Sequence, residues 1–206
     1  MEIKYFGANC LKITTKKAAL VIDDNLNEVG KKTITTGKEI SIITNQGLKA
    51  TTSGYFVVNS AGEYELSEVS IKGIPTKLHY DPEANSVMYS VHVNGFSIAI
   101  LGHSVSNLTE EQLEEFGVVD ILIVPVGGGG YTLDPVEAVK LIKTIEPKLV
   151  IPTHYQSSSI SYEVPQLSLE DFVKSLGITD YETLDSIKYK ENNLPEKTNL
   201  VVLSES

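Results

Sequence analysis

The sequence predicts an α/β protein of the α+β kind, with two facing sheets and an outer layer of helices. Three observations carry this reading. Short β-branched or aromatic runs fill the first half of the chain, well-capped helical segments arrive only after residue 105, and two strand–turn–strand units echo one another. The 206 residues are 41% hydrophobic, enough for one substantial core. A single domain over 1–206 is therefore expected, built from two similar halves at roughly 1–83 and 84–206.

Strands are expected at residues 3–6, 11–14, 19–22, 40–44, 55–59 and 69–74, each bounded by turn residues. Two more, at 87–93 and 96–101, are joined through Asn94-Gly95, a strong signal for a two-residue hairpin. Thr109-Glu110-Glu111-Gln112 reads as a capping box opening a short helix that stops at Gly117. Asp134-Pro135-Val136-Glu137 opens a second helix, with Asp as N-cap and Pro in the first turn. Its apolar positions Val136, Val139, Leu141, Ile142 and Ile145 keep helical spacing until Pro147. Ser168-Leu169-Glu170-Asp171 opens a third helix, closed by Gly177. Wholly apolar runs at 121–126 and 149–151 read as strands buried on both faces. The echo pairs Ala8-Asn9-Cys10-Leu11, leading to Ile22-Asp23, with Ala84-Asn85-Ser86-Val87, leading to Leu101-Gly102-His103.

Composition narrows the function classes. A formal net charge of −10 argues against a nucleic-acid or anionic-membrane binder, since such surfaces need an excess of lysine and arginine. Cys10 is the only cysteine, so an intramolecular disulfide and cysteine-rich metal centres are excluded. Its apolar surroundings predict a buried structural thiol. The N-terminus lacks the basic region and apolar run of a signal peptide, and no apolar run approaches ~18 residues, so the expected location is cytoplasmic.

Several segments in series carry a family resemblance: Gly62-Glu63-Tyr64-Glu65, Lys72-Gly73-Ile74-Pro75, and Leu108-Thr109-Glu110-Glu111-Gln112-Leu113. They continue with Val124-Pro125-Val126-Gly127-Gly128-Gly129, Tyr131-Thr132-Leu133-Asp134 and Ile151-Pro152-Thr153-His154-Tyr155. Leu194-Pro195-Glu196 leading to Val201-Val202-Leu203 completes the set. In this order the chain resembles the metallo-β-lactamase-fold superfamily, in its small bacterial Zn-dependent hydrolase branch. The resemblance implies a four-layer αββα sandwich of two facing mixed sheets with outer helices, and a metal site where the loops of the sheets meet. The family's site is an H-x-H-x-D-H run, a mid-chain histidine, a bridging aspartate and a final histidine. Such ligands hold one or two divalent ions with a position open for water, whose pKa the metal lowers towards neutral.

Carried over residue by residue, the resemblance implies a degenerate metal site. Asn45, Gly47, Lys49 and Ala50 stand at the four ligand positions of the first motif. Glycine and alanine offer no ligand atom, an amide is a poor transition-metal ligand, and a lysine ammonium repels a dication. His103 replaces the bridging aspartate, His154 keeps the final histidine, and His79 lies about one residue beyond the mid-chain position. Asp23 matches the family's buried aspartate behind the metals, and Asp24 follows it where proline is common. His92, alternating with Val91 and Val93, reads as a solvent-facing strand residue. The glycines at 127–130 lack the Gly-Lys-Ser/Thr ending of a phosphate-binding loop and precede an anionic N-cap, so a turn lining the cleft is expected.

The expectation that follows is a pseudoenzyme: a non-catalytic binding or scaffolding protein with no cofactor, its partner a small molecule or a protein, with self-association admitted. The competing expectation is a mononuclear hydrolase holding a single Zn, Mn or Fe ion through His103, His154 and either His79 or Asp23.

Overall fold

The computed structural model describes residues 1–48, 54–189 and 194–206. The chain begins with β1 (Glu2–Gly7), β2 (Cys10–Thr14) and β3 (Ala19–Ile22), then a single 3-10 turn (Leu26–Val29), β4 (Ile40–Ile42) and β5 (Phe56–Val58). It continues through β6 (Gly62–Leu66), β7 (Val69–Lys77), β8 (Asn85–Val93) and β9 (Phe96–Ile100). Helix α1 (Glu110–Phe116), β10 (Ile121–Pro125), α2 (Pro135–Ile145), β11 (Leu149–Thr153) and α3 (Leu169–Leu176) alternate next. Three strands close the described chain: β12 (Glu182–Leu184), β13 (Ile187–Lys188) and β14 (Asn199–Leu203).

Two mixed sheets result, as expected. One has the order β13-β1-β2-β3-β4-β5, the other β12-β14-β11-β10-β9-β8-β7-β6. The chain passes from the first sheet to the second between β5 and β6, and returns briefly for β13. Alternation dictates which side chains meet between the sheets. On β3, Leu20 and Ile22 join the main core, while Val21 turns outward to a small cluster with Cys10 and Leu26. Cys10 is the buried thiol that its neighbours predict.

The outer layer is lopsided. Helices α1 and α2 pack on the second sheet, with α3 packed on α2. The outward-facing cluster of the first sheet is covered by the 3-10 turn and the chain around Ile34 instead. All three helices start on the capping boxes read from sequence, at Thr109, Asp134 and Ser168. Asn94 and Gly95 both hold positive φ, which is the hairpin turn that the dipeptide predicts.

Differences from the sequence reading are local. β7 runs past Pro75 to Lys77, whereas the pattern predicts its end at Ile74. The pairing explains this. β6 covers β7 only up to Gly73, so Pro75 lies on a free edge where its missing N–H costs nothing. β11 likewise continues to Thr153, and β12 and β13 are too short and polar to stand out as sequence patterns. His92 is exposed on β8, as alternation predicts. Among the described residues, no helix is long and apolar enough to cross a membrane.

Candidate functional site

The strand ends of the two sheets meet at one corner, and a buried hydrogen-bond chain joins them. The Thr44 N–H donates to Asp23 Oδ1 (2.8 Å), and Thr44 Oγ1 donates to Asp23 Oδ2 (2.6 Å). Asn9 Nδ2 also donates to Asp23 Oδ2 (2.7 Å), while Asn9 Oδ1 accepts from Thr153 Oγ1 (2.7 Å). Burial pushes the Asp23 carboxyl up to about 6, against the pull of these donors. Asp23 is buried, and its oxygens are already engaged. The neighbouring Asp24 Oδ2 accepts from Thr33, Ile34 and Thr35, which ties down the chain after the 3-10 turn.

His154 follows β11 in left-handed backbone (φ 53°), with its N–H donated to the carbonyl of Ala8 (2.7 Å). Its Nδ1 donates to Gln166 Oε1 (3.2 Å), leaving Nε2 as the lone-pair nitrogen. Burial lowers its pKa to about 4. His103 packs edge-on against it, with ring centroids 5.3 Å apart. Burial, then the neighbouring His154 and His79, hold the His103 imidazole well below the ordinary range. Both His103 ring nitrogens are buried without a hydrogen-bond partner among the described residues.

The approach of these loops depends on two glycines. A Cβ on Gly102 (φ +58°) would meet the Thr44 side chain at 2.3 Å, and one on Gly127 would meet the His154 carbonyl at 2.0 Å. The glycine run therefore backs the site by close packing instead of lining it.

His79 points elsewhere. Its Nε2 pairs with Glu137 Oε2 (3.0 Å), although its backbone N–H reaches the His103 carbonyl (2.8 Å). Glu137 also accepts from Ser106 Oγ and from the Asp134 N–H of its own capping box. Asn45, at the first expected ligand position, spends its amide locally. Its Nδ2 donates to the Tyr80 hydroxyl (2.8 Å) and its Oδ1 accepts from the Gly47 N–H (2.8 Å). Lys49 and Ala50 lie outside the described residues.

In front of the histidines opens a cleft of about 290 Å³. Tyr80 and Tyr131 form one wall, stacked at 4.5 Å and 10°. Tyr131 also sets its ring edge against His103 at 5.1 Å and faces His154 at 5.6 Å. Tyr162 packs against His154 at 4.8 Å and also lines the cleft. His154, Asn45 and Gly47 line the cleft, and His103 sits behind Tyr131.

This geometry brings two of the four candidate ligands, His103 and His154, side by side. Asp23 and His79 are held by other partners. Among the described residues, no group of three histidine, cysteine or carboxylate side chains is placed to hold a metal ion. Sequence reasoning missed Tyr80, Tyr162 and Gln166, and took Tyr131 and Glu137 only as parts of motifs.

A family model described as a β-lactamase superfamily domain matches residues 2–154. The chain belongs to this superfamily. Over its full length this superfamily member is similar to the crystal structure of a candidate Zn-dependent hydrolase of the metallo-β-lactamase superfamily from Thermotoga maritima. That likeness has a TM-score of 0.76 and 25% identity, covering 98% of both chains. A UPF0173 protein of Pyrococcus abyssi is 26% identical over 181 residues, 75% of this chain and 83% of the relative. A UPF0173 metal-dependent hydrolase of Carboxydothermus hydrogenoformans is 28% identical over 103 residues, 47% of this chain. That match spans 45% of the Carboxydothermus protein's length.

Proposed function

We propose that this superfamily member is a non-catalytic binding protein that keeps the family's cleft and does without its two-metal chemistry. The carrying observation is Asn45. At the position of the first expected ligand, both ends of its amide are spent on Gly47 and Tyr80, so the loop closes on itself. Lys49 and Ala50 at the later positions of the same motif support the reading, since neither offers a ligand. Relatives named metal-dependent hydrolases supply the activity to test against. Metal analysis of purified protein is expected to find substoichiometric zinc, manganese and iron. Screens on phosphodiester, lactone and thioester substrates are expected to show no metal-dependent turnover. Stoichiometric, tightly held metal with turnover abolished by His154→Ala would overturn the proposal.

One observation favours a second reading. The two buried nitrogens of His103, without a partner among the described residues and next to the His154 ring, are the kind of site that an ion or ordered water satisfies. A mononuclear hydrolase built there would be stabilised by its metal. At a hundredfold excess over Kd the gain is about 2.7 kcal/mol, or roughly 5–10 °C in a chain of this size. An unchanged melting temperature under saturating Zn²⁺, Mn²⁺ or Fe²⁺ removes this reading.

A further inference from the structure

We propose that the cleft takes a small organic cation, an alkylammonium or N-methylated head group, held against tyrosine faces. The inference rests on the binding reading above and adds the ligand class. Three observations point to it.

The first is the lining. Tyr80, Tyr131 and Tyr162 all border the cleft together with His154. Their ring centroids succeed one another at 4.5, 5.6 and 4.8 Å, from Tyr80 through Tyr131 and His154 to Tyr162. A cation in the cleft borders the exposed surfaces of this packed aromatic series, and a ring's negative face attracts cations within about 6 Å.

The second is charge. Among the described residues lining the cleft, the charged side chains are Glu28 and Glu163, both acidic and both exposed. They stand on a chain of net charge −10. Such a rim raises the local concentration of cations and repels anions.

The third is order. The Tyr80 hydroxyl accepts from Asn45, and the Tyr162 hydroxyl donates to the Tyr155 carbonyl (3.1 Å). The ring faces are therefore fixed before any ligand arrives, which cuts the entropy lost on binding. The size agrees, since about 290 Å³ lies at the small end of ligand sites.

The test compares choline with 3,3-dimethyl-1-butanol, a neutral carbon isostere of nearly the same shape, on the full-length chain. With ten tyrosines and no tryptophan, tyrosine fluorescence reports binding directly, and calorimetry gives the affinity. Choline is expected to bind saturably and at least about tenfold more tightly than the isostere. Tyr131→Leu should weaken choline by roughly tenfold, while Tyr131→Phe, which keeps the ring quadrupole, should retain it. Combining Glu28→Gln with Glu163→Gln should weaken binding and flatten its salt dependence. Equal binding of the isostere, tighter binding of acetate, or no saturable binding of choline would overturn the proposal. So would loss of binding in Tyr131→Phe with unchanged circular dichroism. Metal analysis of the same preparation keeps the two readings apart. Stoichiometric metal defeats the non-catalytic assignment and leaves the choline-to-isostere ratio to stand or fall by itself.

Discussion

Ala8, Asp23 and His154 all hold left-handed backbone (φ 49°, 43° and 53°) at the ends of the strands that build the corner. For residues other than glycine this conformation costs roughly 1–2 kcal/mol each, so the surrounding contacts must enforce it. Asn9 is the residue best placed to do so, because it links Asp23 on one sheet to Thr153 on the other. Asn9→Ala removes one of three donors from a buried carboxylate and strands a buried hydroxyl. We expect it to lower stability by about 2–4 kcal/mol in urea unfolding, and a loss under 1 kcal/mol would contradict the network's role. Gly102→Ala combines a costly left-handed φ with a Cβ 2.3 Å from Thr44. It should cost more than about 3 kcal/mol or prevent folding, read by circular dichroism of the expressed protein. At this scale the sequence was partly legible. Asp23, His103 and His154 could be picked out because the family resemblance fixes their positions. The commitment of His79 to Glu137 could not, since 58 residues separate the partners and neither carries a local signal of the other.

Helix starts are legible because their chemistry is local. Thr109, Asp134 and Ser168 each satisfy backbone donors within three residues, and each was readable from four consecutive letters. Short strands are the opposite case. Glu182–Leu184 becomes β12 only because β14 offers it a partner some twenty residues later, and nothing in its own composition says so. Glu137 shows how an element can serve two ends. Burial raises its carboxyl, yet the donors from Asp134, Ser106 and His79 hold it below its ordinary value. Glu137→Ala should cost about 1–2 kcal/mol through the lost cap alone. It should also release the His79 ring, visible as a shifted and broadened imidazole resonance in NMR spectra. An unmoved His79 signal would show that the hydrogen bond does not position the ring.

Across the whole molecule, two buried neutral imidazoles govern the response to acid. Unfolded histidines protonate near about 6.5, whereas His154 in the fold waits until about 4 and His103 is held lower than usual as well. Below about 6.5 the unfolded chain therefore binds more protons, and stability falls as pH falls. Asp23 works the other way. Raised to about 6, it takes up its proton in the folded chain first and adds stability as the pH drops through that value. Two groups against one leave a net loss of up to about 1.4 kcal/mol per pH unit for the uncompensated histidine. Melting temperature should decline between about pH 7 and 5.5, and His103→Leu should flatten the decline. A level profile in the unmodified chain would contradict neutral burial of the pair.

Glu137's hold on His79 has a consequence for any redesign of this corner. Imidazoles grafted onto positions 45 and 47 would not find the other histidines free, because His79 stays tethered to α2 and Tyr131 packs against His103. The new side chains would gain those partners only once a helix start was untied and an aromatic neighbour moved aside.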